Sequence, residues 1–180
     1  MEITTERLIL RPLAEKDRQP NAEIFADPEV RRFSLATLDR DAADARLDRC
    51  IAEYEIRGFG MLAVEDGRSG AHIGMLGLTG FGPTLAAAVP SRPELQIAWQ
   101  LARNVWGQGL ATEGALAVLD YAAQVLGETD IVAITAATNL ASRRVMTKIA
   151  MHHQPADDFM HPDIPQGHVL RPHVVYRTAG

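Results

Sequence analysis

At 180 residues, 47% hydrophobic and 23% charged, the chain has the size and balance of one globular domain with a sizeable core. A formal net charge of -5 argues against a general nucleic-acid binder, which carries a basic face, and no apolar run approaches the ~20 residues of a membrane span. The single cysteine, Cys50, excludes an intramolecular disulfide framework and fits a reducing compartment, and the charged opening "MEITTERLILRPLAEKDRQP" lacks signal-peptide character, so a cytoplasmic protein is expected.

In chain order, "ERLILRPL" alternates and predicts a strand ending near Pro12. Asp17 to Phe25 predicts a short helix with Pro20 in its first turn, where proline is tolerated. From Asp39, Leu47, Cys50, Ile51 and Tyr54 recur at helical spacing, and Gly58 is a stop. "GFGMLAVED" and "AHIGMLGLTGF" predict two strands joined by the turn "GRSG". "GPTLAAAVPSRP" is expected to be a loop, its three prolines preventing regular structure, and "ELQIAWQL" a strand. Residues 109 to 126 predict a helix with Leu110, Leu116, Leu119, Ala123 and Leu126 on or near one face. "DIVAITAAT" is a β-branched strand, "NLASRRVMTKIAM" a helix opened by Asn139, and "HVLRPHVVYRT" a final strand. No repeat, low-complexity segment or linker divides the chain, so residues 1–180 are expected to form one domain.

The glycines of "WGQGLATEG", Trp106 to Gly114, stand where a strand turns into a helix. The first turn of a helix has unpartnered N–H groups, which with the helix dipole favour an anion, phosphate above all. Gly107 and Gly109 have no side chain to keep a pyrophosphate from those amides. A P-loop needs Gly-Lys-Ser/Thr after the turn, which is absent, and a dinucleotide fingerprint would need glycine in place of Thr112. On the residues alone an ordinary glycine-rich turn before a packed helix stays open; a third phosphate reading, coenzyme A, rests on a resemblance to a known family.

"QIAWQLARNVWGQGLATEGALAVLDYA" resembles the acetyl-CoA motif of the GNAT N-acetyltransferases, in the branch that holds the ribosomal-protein-alanine acetyltransferases. "TERLILRPL", "DPEVRRF", "NLASRRVMTKIAM" and "HPDIPQGHVLRPHVVYR" resemble further segments of that family, in the family's order. The resemblance implies an α/β fold: a central mixed, mostly antiparallel sheet, splayed between "ELQIAWQL" and "DIVAITAAT" and flanked by helices. It implies acetyl-CoA as cosubstrate and no metal. The pantetheine arm would pair with the backbone of Trp99, Gln100 and Leu101, and the pyrophosphate would rest on Gly107, Gln108, Gly109, Leu110, Ala111 and Thr112. Asn139 would contact the pantetheine, although an asparagine there is also a good N-cap. The implied partner is an amine, either a small molecule or a protein N-terminus; a homodimer is compatible with it, and neither nucleic acid nor membrane is implied.

Acetyl transfer needs a base for the amine, a donor for the oxyanion and a proton for the leaving thiolate. Where the family has glutamate in its strand, this chain has Gln96, a carboxamide that accepts no proton at neutral pH. Glu94 lies two residues earlier on the same strand face and can act through a water, or it is a solvated strand-end charge. Ser142 can reach the coenzyme sulfur, or it is a plain helix-start serine. Arg143, Arg144 and Lys148 are either phosphate contacts or exposed helix charges, and Asp27, Glu29 and Glu94 can attract a cationic amine. His168 and His173 have the spacing of some zinc sites but lack partnering cysteines. Two functions stay open: direct acetyl transfer in a ternary complex, or non-catalytic acyl-CoA binding or sensing, which Gln96 makes reasonable.

Overall fold

The computed structural model describes residues 2–179. Strands β1 (Ile3–Thr4), β2 (Leu8–Pro12), β3 (Met61–Asp66), β4 (His72–Gly80), β5 (Leu95–Leu101), β6 (Val132–Ala136), β7 (His152–His153), β8 (Phe159–Met160) and β9 (Pro172–Arg177) form one mixed sheet. Its order is β1-β2-β3-β4-β5-β6-β9-β7, with β8 also paired to β9. Every pairing is antiparallel except that of β5 with β6, which run parallel and share the single register pair Gln96↔Val132. Beyond that pair the two strands diverge, giving the splayed sheet that the resemblance implied.

Helices α1 (Arg18–Ala26), α2 (Arg40–Arg57), α3 (Pro83–Ala88), α4 (Leu110–Tyr121) and α5 (Leu140–Lys148) cover it. Alternate strand residues point to opposite faces. Leu62, Val64, Leu76, Leu78 and Ile97 therefore pack with Leu110, Ala115 and Val118 of α4 and Met146 of α5. Met61, Ala63, Met75 and Ala98 face the other way, against Ala22 and Phe25 of α1 and Ala43 and Leu47 of α2. Removing that apolar area from water, about 25 cal/mol per Å², is what holds the layers together.

Three expectations need correction. "GPTLAAAVPSRP" is not all loop. Pro83 stands at the start of α3, where its missing N–H costs nothing, and Leu85 and Ala88 pack on Val89, Val132, Phe159 and Val175. The buried face of α4 differs from the stripe that the spacing predicts: Leu116 is 43% exposed and Ala123 is exposed, while Gly114, Ala115, Val118 and Ala122 are buried. A leucine on the water side of a helix adds apolar matches to a pattern without marking the buried face. The last turn, Ala122–Leu126, also widens into a π-helix before Gly127 caps it.

Candidate active site

The glycine turn is built by conformation as well as by space. Gly109 is the N-cap of α4 at φ 81°, a left-handed conformation that a β-carbon disfavours, and Gly107 has φ 76° with open space where a Cβ would stand. The first intrahelical bond of α4 runs from the Glu113 N–H to the Gly109 carbonyl (3.0 Å), so the amides before it have no acceptor within the helix. Gly114 answers to packing instead: a Cβ there would lie 3.0 Å from Leu76 Cδ1.

The loop is held at both ends. Trp106 Nε1 donates to the Leu101 carbonyl (2.9 Å), folding the indole back on β5. Arg7 Nη1 donates to the Gln108 carbonyl (2.9 Å), and its Nε and Nη2 grip Glu113 Oε2 at 2.7 and 2.6 Å. Glu113 Oε1 accepts from Thr5 Oγ1 (2.6 Å) and the Arg7 amide (2.9 Å). Burial opposes ionisation of Glu113, but the hydrogen bonds from Thr5 and Arg7 outweigh it and hold the carboxyl below its usual range. That residue is a clamp between the β1–β2 turn and the phosphate loop.

Between β5 and β6 the backbone is open. Ala102 N–H donates to the Ile73 carbonyl of β4, so by the alternation of an antiparallel ladder Trp99 and Leu101 turn their backbone groups toward β6. A cavity of about 620 Å³ fills this gap. Leu110, Ala111 and Val145 line it from the α4–α5 side, and Val30, Phe33 and Ser34, from the segment joining α1 to α2, line it from the other. It is thus a passage between β5 and β6 that is lined from both faces of the sheet. Gln100 Nε2 donates to the Val30 carbonyl (3.3 Å), and the Arg32 guanidinium lies 5.4 Å from the Trp106 ring, so that segment is fastened over the passage.

Of the residues singled out from sequence, Trp99, Gln100, Leu101, Gly107, Gly109, Leu110, Ala111, Thr112, Asn139 and Ser142 line this one cavity. Gln108 contributes only its backbone to the loop: its side-chain Nε2 points to the Asn104 carbonyl (3.4 Å). Asn139 caps α5, its Oδ1 accepting from the Ser142 amide (3.2 Å), while Nδ2 donates to Thr135 Oγ1 (2.9 Å) and Ser142 Oγ (3.1 Å). Glu94 is exposed just ahead of β5 and Gln96 is half-buried; neither lines the cavity. Arg144 and Lys148 line it, whereas Arg143 is spent on the Ala137 carbonyl (3.1 Å) and the Tyr176 hydroxyl (3.4 Å). Asp27 Oδ1 accepts from the Glu29 amide (2.8 Å), a turn contact, and Glu29 pairs with Arg32 at 3.5 Å.

Glu29, expected near the amine, lines the cavity; the sequence reading overlooked Val30, Arg32, Phe33 and Ser34 as cavity wall and His173 as a lining residue. Alternation in "HVVYR" does place His173 and Val175 on one face, but nothing local says that this face meets the gap. His173 is 9% exposed, with its ring centroid 4.8 Å from that of His161, while His168 Nδ1 accepts from the Leu170 amide (3.2 Å). Among the described residues no group of three or more His, Cys, Asp or Glu is placed to hold a metal ion, and no helix is long and apolar enough to cross a membrane. Cys50 is buried in α2, and burial pushes its thiol up, away from the reactive thiolate.

The model of the acetyltransferase (GNAT) domain family matches residues 7–152, so the chain belongs to that family. It is similar to the uncharacterized protein YkkB of Bacillus subtilis (strain 168), at 26% identity over 84% of this chain and 86% of that one. Similarity at 26% identity extends to the FsC-acetyl coenzyme A-N(2)-transacetylase of Aspergillus fumigatus, over 83% of this chain and 64% of that protein. Among solved structures, an acetyltransferase from Agrobacterium tumefaciens str. C58 superposes with a TM-score of 0.79 at 26% identity, covering 100% of this chain and 95% of that one. Family and fold together make this protein a GNAT-fold acetyltransferase.

Proposed function

We propose that the protein transfers an acetyl group from acetyl-CoA to a primary amine, a small molecule or a protein N-terminus, by direct attack in a ternary complex. The observation that carries this reading is the cavity at the β5–β6 gap, lined from both faces of the sheet and bordered by the first turn of α4, whose amides have no acceptor within the helix. In it the pyrophosphate rests on the backbone of Gly107 to Thr112, through Gln108, Gly109, Leu110 and Ala111. The pantetheine lies along Trp99, Gln100 and Leu101 and meets Asn139, and Ser142 Oγ serves the coenzyme sulfur. A backbone N–H of β5 turned into the gap receives the oxyanion. The A. fumigatus relative, named for transfer from acetyl coenzyme A, supports this cosubstrate.

The whole chain acts as one domain, since one sheet runs from Ile3 to Arg177. The order of its motifs favours the ribosomal-protein-alanine acetyltransferase branch, and its composition a cytoplasmic setting. A second reading, non-catalytic acyl-CoA binding or sensing, is favoured by Gln96 and by the position of Glu94 outside the cavity. Free-thiol detection with acetyl-CoA and a panel of amines separates the two. Thiol released in step with acetylated amine is the expected result; tight acetyl-CoA binding with no thiol released by any amine would make the protein a sensor.

A further inference from the structure

Resting on the acetyltransferase reading, we infer that the proton acceptor for the incoming amine is His173, on the last strand of the sheet, rather than Glu94 just ahead of β5. Its side chain is buried and lines the cavity. In the β6–β9 register it stands against Ala136, another lining residue. Since β6 runs parallel to β5 from the pair Gln96↔Val132, Ala136 is level with Gln100, where the strands have parted. His173 therefore overlooks the widest part of the splay.

The tautomer suits the task. Nδ1 of His173 lies 3.2 Å from the Arg171 carbonyl oxygen. A carbonyl only accepts, so Nδ1 carries the hydrogen and Nε2 keeps its lone pair. Burial disfavours the imidazolium and the His161 ring acts in the same direction, while the backbone of Arg171 and of Leu170 works against them; the net direction is downward from the usual histidine value. The ring is thus uncharged at neutral pH and ready to accept. The charged side chains lining the same cavity are Glu29 and Arg32 of the α1–α2 segment and Arg144 and Lys148 of α5; behind His161 stands Asp163. Glu29 is the one carboxylate among these lining residues, and it faces Arg32.

The proton ledger closes. An ammonium substrate gives one proton to His173 Nε2, directly or through a water, and that proton leaves for solvent. The free amine attacks the thioester carbonyl, forming the N–C bond, and the C–S bond breaks. The second proton of the nitrogen goes to the departing thiolate, giving an acetamide and free CoA thiol.

The test measures kcat/KM against pH with acetyl-CoA and two acceptors, a peptide α-amine and a lysine ε-amine, whose own pKa values differ by about 2.5. A limb that moves with the acceptor belongs to the amine; one that stays belongs to the enzyme. The expected result is a fixed limb below the ordinary histidine range in the wild type, lost in both His173→Gln and His173→Asn. Turnover should fall about 100-fold, with partial rescue by added imidazole, while acetyl-CoA affinity by calorimetry stays within about threefold. A fixed limb that survives in both variants, or that disappears in Glu94→Gln instead, would overturn the assignment. A wild type that neither binds acetyl-CoA nor releases thiol would instead overturn the acetyltransferase reading and the proton acceptor with it.

Discussion

Single atoms decide whether the cosubstrate reaches the backbone. Gly109 combines a positive φ with a position at the open end of α4. Replacing it by valine adds a β-branched side chain where the left-handed conformation costs about 1–2 kcal/mol, and it sets methyl groups in the path of the phosphates. Gly109→Val is therefore expected to weaken acetyl-CoA binding at least about tenfold, read by calorimetry; equal affinities would refute the phosphate site. A second residue-scale prediction concerns stability. Asp17 is 1% exposed and accepts two hydrogen bonds of 2.7 Å from Arg11. Burial opposes its ionisation, yet Arg11, His72 and the Ala14 amide together hold the carboxyl well below the usual range. A folded-state pKa below the unfolded value means stability that is full above about pH 4 and lost as pH falls toward the folded value. Asp17→Asn should cost about 3–5 kcal/mol at pH 7, and its stability should depend less on pH below 4 than that of the wild type, as urea titrations will show.

At the scale of elements, α5 begins with one side chain doing two jobs. Asn139 Oδ1 caps the helix and Nδ2 holds the Ser142 hydroxyl. Asn139→Ala loses both and should lower stability by about 1 kcal/mol. Asn139→Asp keeps a capping oxygen but has no Nδ2 donor. Thermal melts should therefore show Asp retaining most of the wild-type Tm, while turnover falls in both variants. If Asn139→Asp turns over like the wild type, the bond to Ser142 has no part in the reaction. The α4 junction shows the same economy: Glu113 lies in the first turn, where the dipole favours a negative charge, and its oxygens also fasten the β1–β2 turn.

For the molecule as a whole, the charges that line the passage matter more than the net charge of -5. Arg32, Arg144 and Lys148 line it, against Glu29 alone, so the field there suits an anionic cosubstrate. Attraction of a cationic amine by Asp27, Glu29 and Glu94 has less support: Asp27 is bound in its own turn, Glu29 is paired, and Glu94 lies elsewhere. The screening length shortens from about 30 Å at 0.01 M salt to about 8 Å at 0.15 M. Acetyl-CoA affinity is expected to fall over that range, and the Arg144→Gln/Lys148→Gln double variant to show a flatter dependence. An identical salt slope in the double variant would remove both cations from coenzyme attraction.

The sequence by itself determined the elements whose signals are local. Period-two alternation marked β2, β5 and β9, Asn139 marked the start of α5, Gly58 the end of α2, and the Gly107–Gly109 turn the start of α4. The family resemblance in its motifs pointed to ten coenzyme-side residues that line one cavity; eight of them, from Trp99 to Thr112, lie where strand, turn and helix follow one another and carry their geometry in sequence order, while Asn139 and Ser142 come from the next strand–helix unit. Only the tertiary structure decided the opposite wall. Phe33 and His173 are 140 positions apart and meet at the gap because β9 inserts beside β6 and the α1–α2 segment folds over β5. Alternation tells which strand residues share a face, but which neighbour that face receives depends on sheet order, a contact between distant segments that no local pattern encodes. The same holds for α3: a proline read alone forbids a helix, and only the packing of Leu85 and Ala88 on Val132 and Val175 reveals that it begins one.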